Sequence, residues 1–345
     1  MSTHETPDAY EAAKRAWAGA KLSPLWESAV AFRERAAAPQ ALFWPWSTLR
    51  PLIDSAIALV SPRDVERRVL MLTDPTLNAA QRATTTKGLN AGLQILLPGE
   101  TARPHRHTMD AIRFVLEGEG AVTIVNGKEC PMAEGDLVLT PGMCWHEHVH
   151  RGTKPIIWLD GLNSPLHRYL GTAEFEPGPP KDLIPALPEA AFQVPNILPD
   201  GDTGGALHSP VFRYTYAAAS TALEAAPRAK DGSRRVRYVN PATGGAAMGL
   251  MEHGLVQLDP GITTLPYRTT SNAICVAVEG HGTSTIGNES FSWSPKDVFT
   301  MPQGNWITHR AGSKRARFFV MSDAQVFARL GLLKEEFGNG PQPAI

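Results

Sequence analysis

Residues 99–107 read Gly99-Glu100-Thr101-Ala102-Arg103-Pro104-His105-Arg106-His107, and residues 135–146 read Gly135-Asp136-Leu137-Val138-Leu139-Thr140-Pro141-Gly142-Met143-Cys144-Trp145-His146. In an extended strand, side chains alternate between two faces, so His105 and His107 point the same way. A third imidazole from a neighbouring strand, His146, completes a face that can hold one divalent metal and leave its other positions open. From Arg67 to Asn163 around these segments, short apolar runs (93–97, 112–116, 121–125, 136–139 and 156–159) alternate with Pro and Gly turns. That is the pattern of an all-β sandwich or barrel.

The same frame recurs downstream. Gly99 is followed after five residues by His105, and Gly261 after five residues by Tyr267. Glu117-Gly118 lies 12 positions beyond His105, and Glu279-Gly280 lies 12 beyond Tyr267. Asp136, Pro141 and Trp145 match Asp297, Pro302 and Trp306, so that His105, His107 and His146 become Tyr267, Thr269 and Ile307. Only His148 keeps a counterpart, His309. Internal duplication explains this, with one copy able to bind metal and one blank. The expectation is one metal per chain.

The bulk numbers narrow the class. The chain has 345 residues, enough for two domains and a sizeable core. A formal net charge of -1, from 33 basic and 34 acidic residues, points to neither nucleic acid nor an anionic membrane. Three widely spaced cysteines, Cys130, Cys144 and Cys275, suggest a reducing compartment. The polar start Met1–Asp8 has no signal-peptide pattern, and no run is long enough for a membrane span, so a cytoplasmic protein is expected. Residues 8–38 read as helical with a break at Ser23-Pro24, and 52–59 and 214–226 as shorter helices. The expected division is a helical arm over 1–60, a metal-bearing domain over 61–175, a Pro-rich connector with a helix over 176–235, a blank domain over 236–325 and a tail over 326–345.

The glycine, five residues and His-x-His, then Gly118, then the Gly-x5-Pro block ending in histidine, closely follow the cupin pattern. In many cupins a glutamate supplies a fourth ligand. Here it would fall near Ala111 or Ile112, neither of which can bind a metal. The missing carboxylate and the paired live and blank copies resemble the gentisate 1,2-dioxygenase family, with its salicylate and 1-hydroxy-2-naphthoate relatives. Further matches are Ser23-Pro24-Leu25-Trp26-Glu27, Ala91-Gly92-Leu93-Gln94, Leu97-Pro98-Gly99-Glu100, Arg113-Phe114-Val115, Trp145-His146-Glu147-His148 and Trp158-Leu159-Asp160-Gly161-Leu162, so the resemblance spans nearly the whole chain. It implies an all-β bicupin, two double-stranded β-helix (jelly-roll) barrels with an N-terminal helical arm. It also implies Fe(II) as cofactor, a homotetramer, and ring cleavage by insertion of both atoms of O2 between the carboxyl- and hydroxyl-bearing carbons, giving maleylpyruvate from gentisate.

Three neutral imidazoles leave an iron(II) centre with its full +2 charge and three open octahedral positions. Such a site favours a chelating anion, and an aromatic acid with an ortho hydroxyl supplies a carboxylate and a phenolate oxygen. If 105–113 is extended, His105, His107, Ala111 and Arg113 share one face, and Arg113 then holds either the substrate carboxylate or a local acidic residue. The resemblance places His148 near substrate or dioxygen, and Gln94 and Asp160 near the ring. Each could equally serve as a structural hydrogen bond within the core. Arg68 matches a second family arginine, with Arg67 adjacent and the register open. Asn90 stands where the family commonly has Tyr or Trp. With Thr108-Met109-Asp110 and Val149-His150, which also depart from the family, it points to a substituted gentisate or salicylate. Cleavage of salicylate or 1-hydroxy-2-naphthoate is the alternative within the class. A non-catalytic cupin that binds an aromatic acid is the alternative outside it, and an open-sided metal frame argues against that reading. Sugar-isomerase and oxalate-type cupins are disfavoured by the missing carboxylate.

Overall fold

The computed structural model describes residues 7–28, 38–61, 65–77, 83–181, 183, 186–194, 197–201, 203 and 207–338. The chain divides into two contact units, Met1–Ala38 and Pro39–Ile345. In the first, helix Pro7–Gly19 precedes a single helical turn, Leu25–Ser28. Trp17 packs edge-on against Tyr10 and Trp26, at centroid distances of 5.9 and 5.6 Å, and Tyr10 donates to Glu27 at 2.8 Å. The break at Ser23-Pro24 is where the sequence places it. The part of the helical reading over 29–37 lies outside the described residues.

The second unit is built from four antiparallel sheets, two per barrel, as expected of a bicupin. The first barrel pairs a six-stranded sheet, ordered Arg213–Tyr214, Leu137–Thr140, Ala111–Glu117, Ile156–Leu162, Asn90–Leu96 and Val69–Leu72, with a five-stranded one, ordered Phe175–Pro177, Thr101–His107, His146–His150, Ala121–Val125 and Lys128–Pro131. The second repeats this order. Its six strands are Phe43–Trp44, Val298–Met301, Ala273–Glu279, Ala316–Ser322, Glu252–Leu258 and Arg234–Arg237. Its five are Glu289–Trp293, Gly282–Ile286, Ile307–Ala311, Tyr267–Thr269 and Glu335–Phe337. Even an irregularity recurs: the register shifts next to Trp158 in one barrel and next to Ala277, the partner of Phe318, in the other.

The central strands of the six-stranded sheets, such as Asn90–Leu96, Ala111–Glu117 and Ala316–Ser322, are largely apolar because both faces are buried. One face lines its own barrel. The other packs on the companion sheet, where Ile112, Phe114, Leu159, Ile274, Val276, Phe319 and Met321 form a shared core. Phe114 stacks on Phe319 with centroids 4.1 Å apart. Gly161 allows the close approach, since a Cβ there would lie 2.2 Å from the Met321 sulfur.

The duplication extends beyond the barrels. Phe43–Trp44 pairs with Val298–Phe299, and helix Trp46–Leu59 follows. Arg213–Tyr214 pairs with Leu137–Val138, and helix Tyr216–Ala225 follows. The Asp297 carboxylate accepts the Trp46 N–H (2.6 Å), and the Asp136 carboxylate accepts the Tyr216 N–H (2.9 Å). Each aspartate thus satisfies an N–H that the start of a helix leaves open. The segment before the first barrel edges the second, and the connector edges the first. The first of these helices begins six residues earlier than the 52–59 expected, and its Leu49 and Ile53 enter the shared core.

Candidate functional site

His105 and His107 end one strand of the five-stranded sheet, and His146 begins the strand beside it, directly opposite His105. Between Ala102 and His105 the ladder is irregular. Pro104, which has no N–H to give, sits in that break, as a proline inside a sheet must. One ring nitrogen from each of the three histidines lies within 4.8 Å of the others, and all three side chains are buried. Among the described residues this is the group with metal-ligand spacing.

The Nδ1 atoms face backbone carbonyls: His105 that of Arg103 (3.2 Å), His107 that of Met109 (2.8 Å) and His146 that of Cys144 (2.9 Å). An imidazole donating through Nδ1 keeps a lone pair on Nε2. The Nε2 atoms of His105 and His146 are buried with no hydrogen-bond partner. Burial, and then the nearby arginines, hold His105 down to about 2 and His107 to about 4, and push His146 well below the usual imidazole range. Neutral imidazoles with unshared lone pairs are what a metal requires, so the residues fit one. The Arg67 guanidinium also lies against His105 Nδ1. A guanidinium can only donate, so it and the Arg103 carbonyl ask for opposite tautomers, and a metal held at Nε2 would select the one that donates to Arg103.

The chain does not stay extended from 105 to 113. It turns at 108–110 and crosses into the six-stranded sheet. Arg113 still points inward, because odd positions of Ala111–Glu117 face the barrel interior alongside Val115. Its Nε is 3.2 Å from Asp160, and Nη1 lies against the Thr140 hydroxyl. Burial lowers Arg113 to about 10 and raises Asp160. An anion therefore already faces the buried guanidinium, although the Arg113 Nε–H makes no hydrogen bond to it, and Trp158 Nε1 donates to Asp160 at 2.9 Å.

Gln94 stands opposite Trp158 on the next strand, and both polar atoms of its side chain are buried without a partner. Asn90 donates to the Ser164 hydroxyl at 2.9 Å, and its Oδ1 is buried and unpartnered. His148 contacts the Thr123 hydroxyl through Nδ1 at 2.9 Å, while its Nε2 has no partner. Arg68 is not beside the triad contacts just described. It makes a two-pronged pair with Glu100 (2.9 and 3.1 Å) and donates to the Val60 carbonyl. Arg67 is the arginine against His105, because the two residues precede the edge strand Val69–Leu72 and point opposite ways. Phe175, which stacks on His105 at 5.2 Å from 70 positions along the chain, has no local signal at all.

The Cupin domain family matches residues 92–161. Gentisate 1,2 dioxygenase 1 of Aquipseudomonas alcaligenes is 35% identical over 325 residues, spanning 91% of this chain and 92% of that protein. The 5-aminosalicylate 1,2-dioxygenase of Comamonas sp is 31% identical, spanning 94% of this chain and 90% of that one. A crystal structure of salicylate 1,2-dioxygenase from Pseudoaminobacter salicylatoxidans, in its adducts with gentisate, superposes with a TM-score of 0.87 at 29% identity, covering 99% of this chain and 96% of that one.

Proposed function

The chain belongs to the gentisate 1,2-dioxygenase family of bicupin ring-cleaving dioxygenases, and from that premise we propose that it uses iron(II) to cleave gentisate or a substituted gentisate to a maleylpyruvate-type product. The observation behind this reading is the buried, neutral triad of His105, His107 and His146, with no carboxylate grouped with it among the described residues. Iron(II), when bound there, supplies an open-sided redox centre at which a chelating acid and dioxygen meet.

The protein's own groups set the charge. Arg67 and Arg113 bring two positive charges near the triad and Asp160 one negative. With iron(II) the site carries a net +3, and an incoming carboxylate and phenolate offset two of those charges. Arg113 holds the carboxylate while Asp160 keeps the guanidinium oriented. Gln94 and His148 present unshared polar atoms to ring hydroxyls, and His148, which burial and the nearby Arg113 keep neutral, offers Nε2 as a hydrogen-bond acceptor. Asn90 offers an amide oxygen where the family commonly has an aromatic ring, which suits a substituted ring. Arg68, held by Glu100, fixes the start of the edge strand and so aims Arg67. On the same reading the second barrel, with the arm and connector, serves packing and assembly into a homo-oligomer, with one metal per chain and the domain division given above.

Anaerobic loading with iron(II), followed by oxygen and gentisate, should give oxygen uptake and a new near-ultraviolet absorbance. No uptake with gentisate, salicylate, 1-hydroxy-2-naphthoate or their substituted forms would sink the proposal. A kcat/KM highest for unsubstituted gentisate would remove its substituent part. Among the described residues no helix is long and apolar enough to cross a membrane.

A further inference from the structure

Three residues beyond His107, Asp110 closes the turn between the two sheets of the first barrel. Its Oδ1 accepts the Gly142 N–H at 3.0 Å, and its Oδ2 accepts from Asn163 Nδ2 at 3.3 Å. Its own N–H donates to Asn163 Oδ1 at 3.0 Å, and its carbonyl accepts the Asn163 N–H at 3.4 Å. Beside these bonds the Met143 N–H donates to the His107 carbonyl at 2.7 Å. One carboxylate therefore ties the turn after His107, the turn before His146 and the end of strand Ile156–Leu162. The fit is close: a Cβ on Gly142 would lie 2.4 Å from the Thr108 carbonyl oxygen.

The second barrel has the same four bonds with the two residues exchanged. Asn272 Oδ1 accepts the Gln303 N–H at 3.2 Å, and Asn272 Nδ2 donates to Asp323 Oδ2 at 2.8 Å. The Asn272 N–H donates to Asp323 Oδ1 at 2.7 Å, and the Asp323 N–H to the Asn272 carbonyl at 3.2 Å. The neighbouring bond recurs too, from the Gly304 N–H to the Thr269 carbonyl at 2.8 Å. The arrangement needs one amide facing one carboxylate and accepts either order. Two carboxylates repel, and two amides leave an N–H pointed at an N–H.

We propose that Asp110 and Asn163 are positioning residues, a clamp that sets His107 and His146 at metal-binding separation. The inference rests on the triad being a metal centre. The test uses the full-length protein with cobalt(II) as probe, reading its visible absorption for affinity, and thermal melting of the metal-free chain for stability. Asp110→Asn and Asn163→Asp should each weaken cobalt(II) binding by roughly tenfold or more, the range for groups that support metal ligands. The double exchange, which recreates the pairing of the second barrel, should restore affinity to within about threefold of wild type. Asn272→Asp should lower the melting temperature and leave cobalt(II) affinity unchanged.

Single variants that melt lower but bind as wild type would make the clamp a stability device and overturn the proposal. So would a double exchange no better than the singles. Should a single variant not fold, the double exchange decides alone: wild-type affinity supports the clamp, and weak binding or failure to fold overturns it. A wild-type chain that takes up no cobalt(II) overturns the metal reading itself, and the clamp with it.

Discussion

Strand for strand, the first barrel sets Gln94, His105, His107, Arg113, His146 and Asp160 where the second sets Val256, Tyr267, Thr269, Cys275, Ile307 and Val320. The sheet orders, the strand irregularity and the inter-turn clamp are shared. The largest change of character is in the interior. In the second barrel Tyr267, Ile307, Phe299, Phe318 and Trp293 form an apolar cluster, beside a cavity of about 540 Å³ lined in part by Val256, Tyr267, Phe318 and Val320. The fold is thus specified by alternation, turns and the shared inter-barrel core, which leaves one interior free to hold groups that are costly to bury. The polar barrel relies for its stability on a sheet whose other face belongs to that shared core.

The sharpest way to break the comparison is to truncate matching positions. His146→Ala should abolish metal retention and oxygen uptake, a loss of several orders of magnitude in turnover, with little change in folding. Ile307→Ala should leave metal content at the wild-type level and cost about 3 kcal/mol of stability, because it opens a cavity in a packed core. Elemental analysis with urea unfolding separates the two. Metal retained by His146→Ala, or lost from Ile307→Ala, would mean the two interiors are not divided as described.

The buried ion pair comes next. Arg113→Cys alone strands the Asp160 carboxylate, and Asp160→Val alone strands the guanidinium. Either should cost about 3–5 kcal/mol. The double variant installs the residues of the second barrel, so it should regain most of that stability while kcat/KM stays down by roughly 100-fold or more. A double variant as unstable as the singles would show that Arg113 and Asp160 do not act as a pair.

These contrasts also mark what the sequence discloses. The histidine frame, the strands and the blank copy follow from alternation and spacing, which are local. Arg113 reads correctly as inward-facing but from a mistaken path: the chain turns at 108–110, and the parity that matters is that of its own strand. Arg68 matches a family arginine with Arg67 adjacent and the register open, because the two residues lie just before an edge strand, where no alternation fixes their direction. The roles of Asp136 and Asp297 depend on N–H groups 80 and 251 positions away, and Phe175 reaches His105 from 70. Alignment of the halves flags the aspartates, but no spacing rule says what they hold.

A finer contrast uses the histidine both barrels keep. His148 meets the Thr123 hydroxyl at 2.9 Å, and His309 meets the Ser284 hydroxyl at 2.8 Å, from equivalent strands. His148→Gln and His309→Gln should each cost about 1 kcal/mol through that bond. Only His148→Gln should lower kcat, and it should do so without raising KM in proportion. Equal kcat for both variants would assign His148 a structural role.

The smallest effect lies at a position where the second barrel is the more polar. His253 stands where the first barrel has Ala91, stacked on Phe319 in the shared core with neither ring nitrogen partnered. Burial alone lowers it to about 3. An unfolded imidazole takes its proton near the ordinary value of 6.5, so the unfolded state binds more protons than the folded one between those two pH values. Its contribution is complete above pH 6.5 and is lost as the pH falls toward 3, at about 1.4 kcal/mol per pH unit for one proton. His253→Leu should flatten that part of the acid limb in urea midpoints and leave stability at pH 7.5 equal or slightly higher, since an unpaired ring N–H is removed. An unchanged acid limb would mean that this histidine keeps a proton partner in the folded chain, and that the inter-barrel core is less dry than its apolar lining implies.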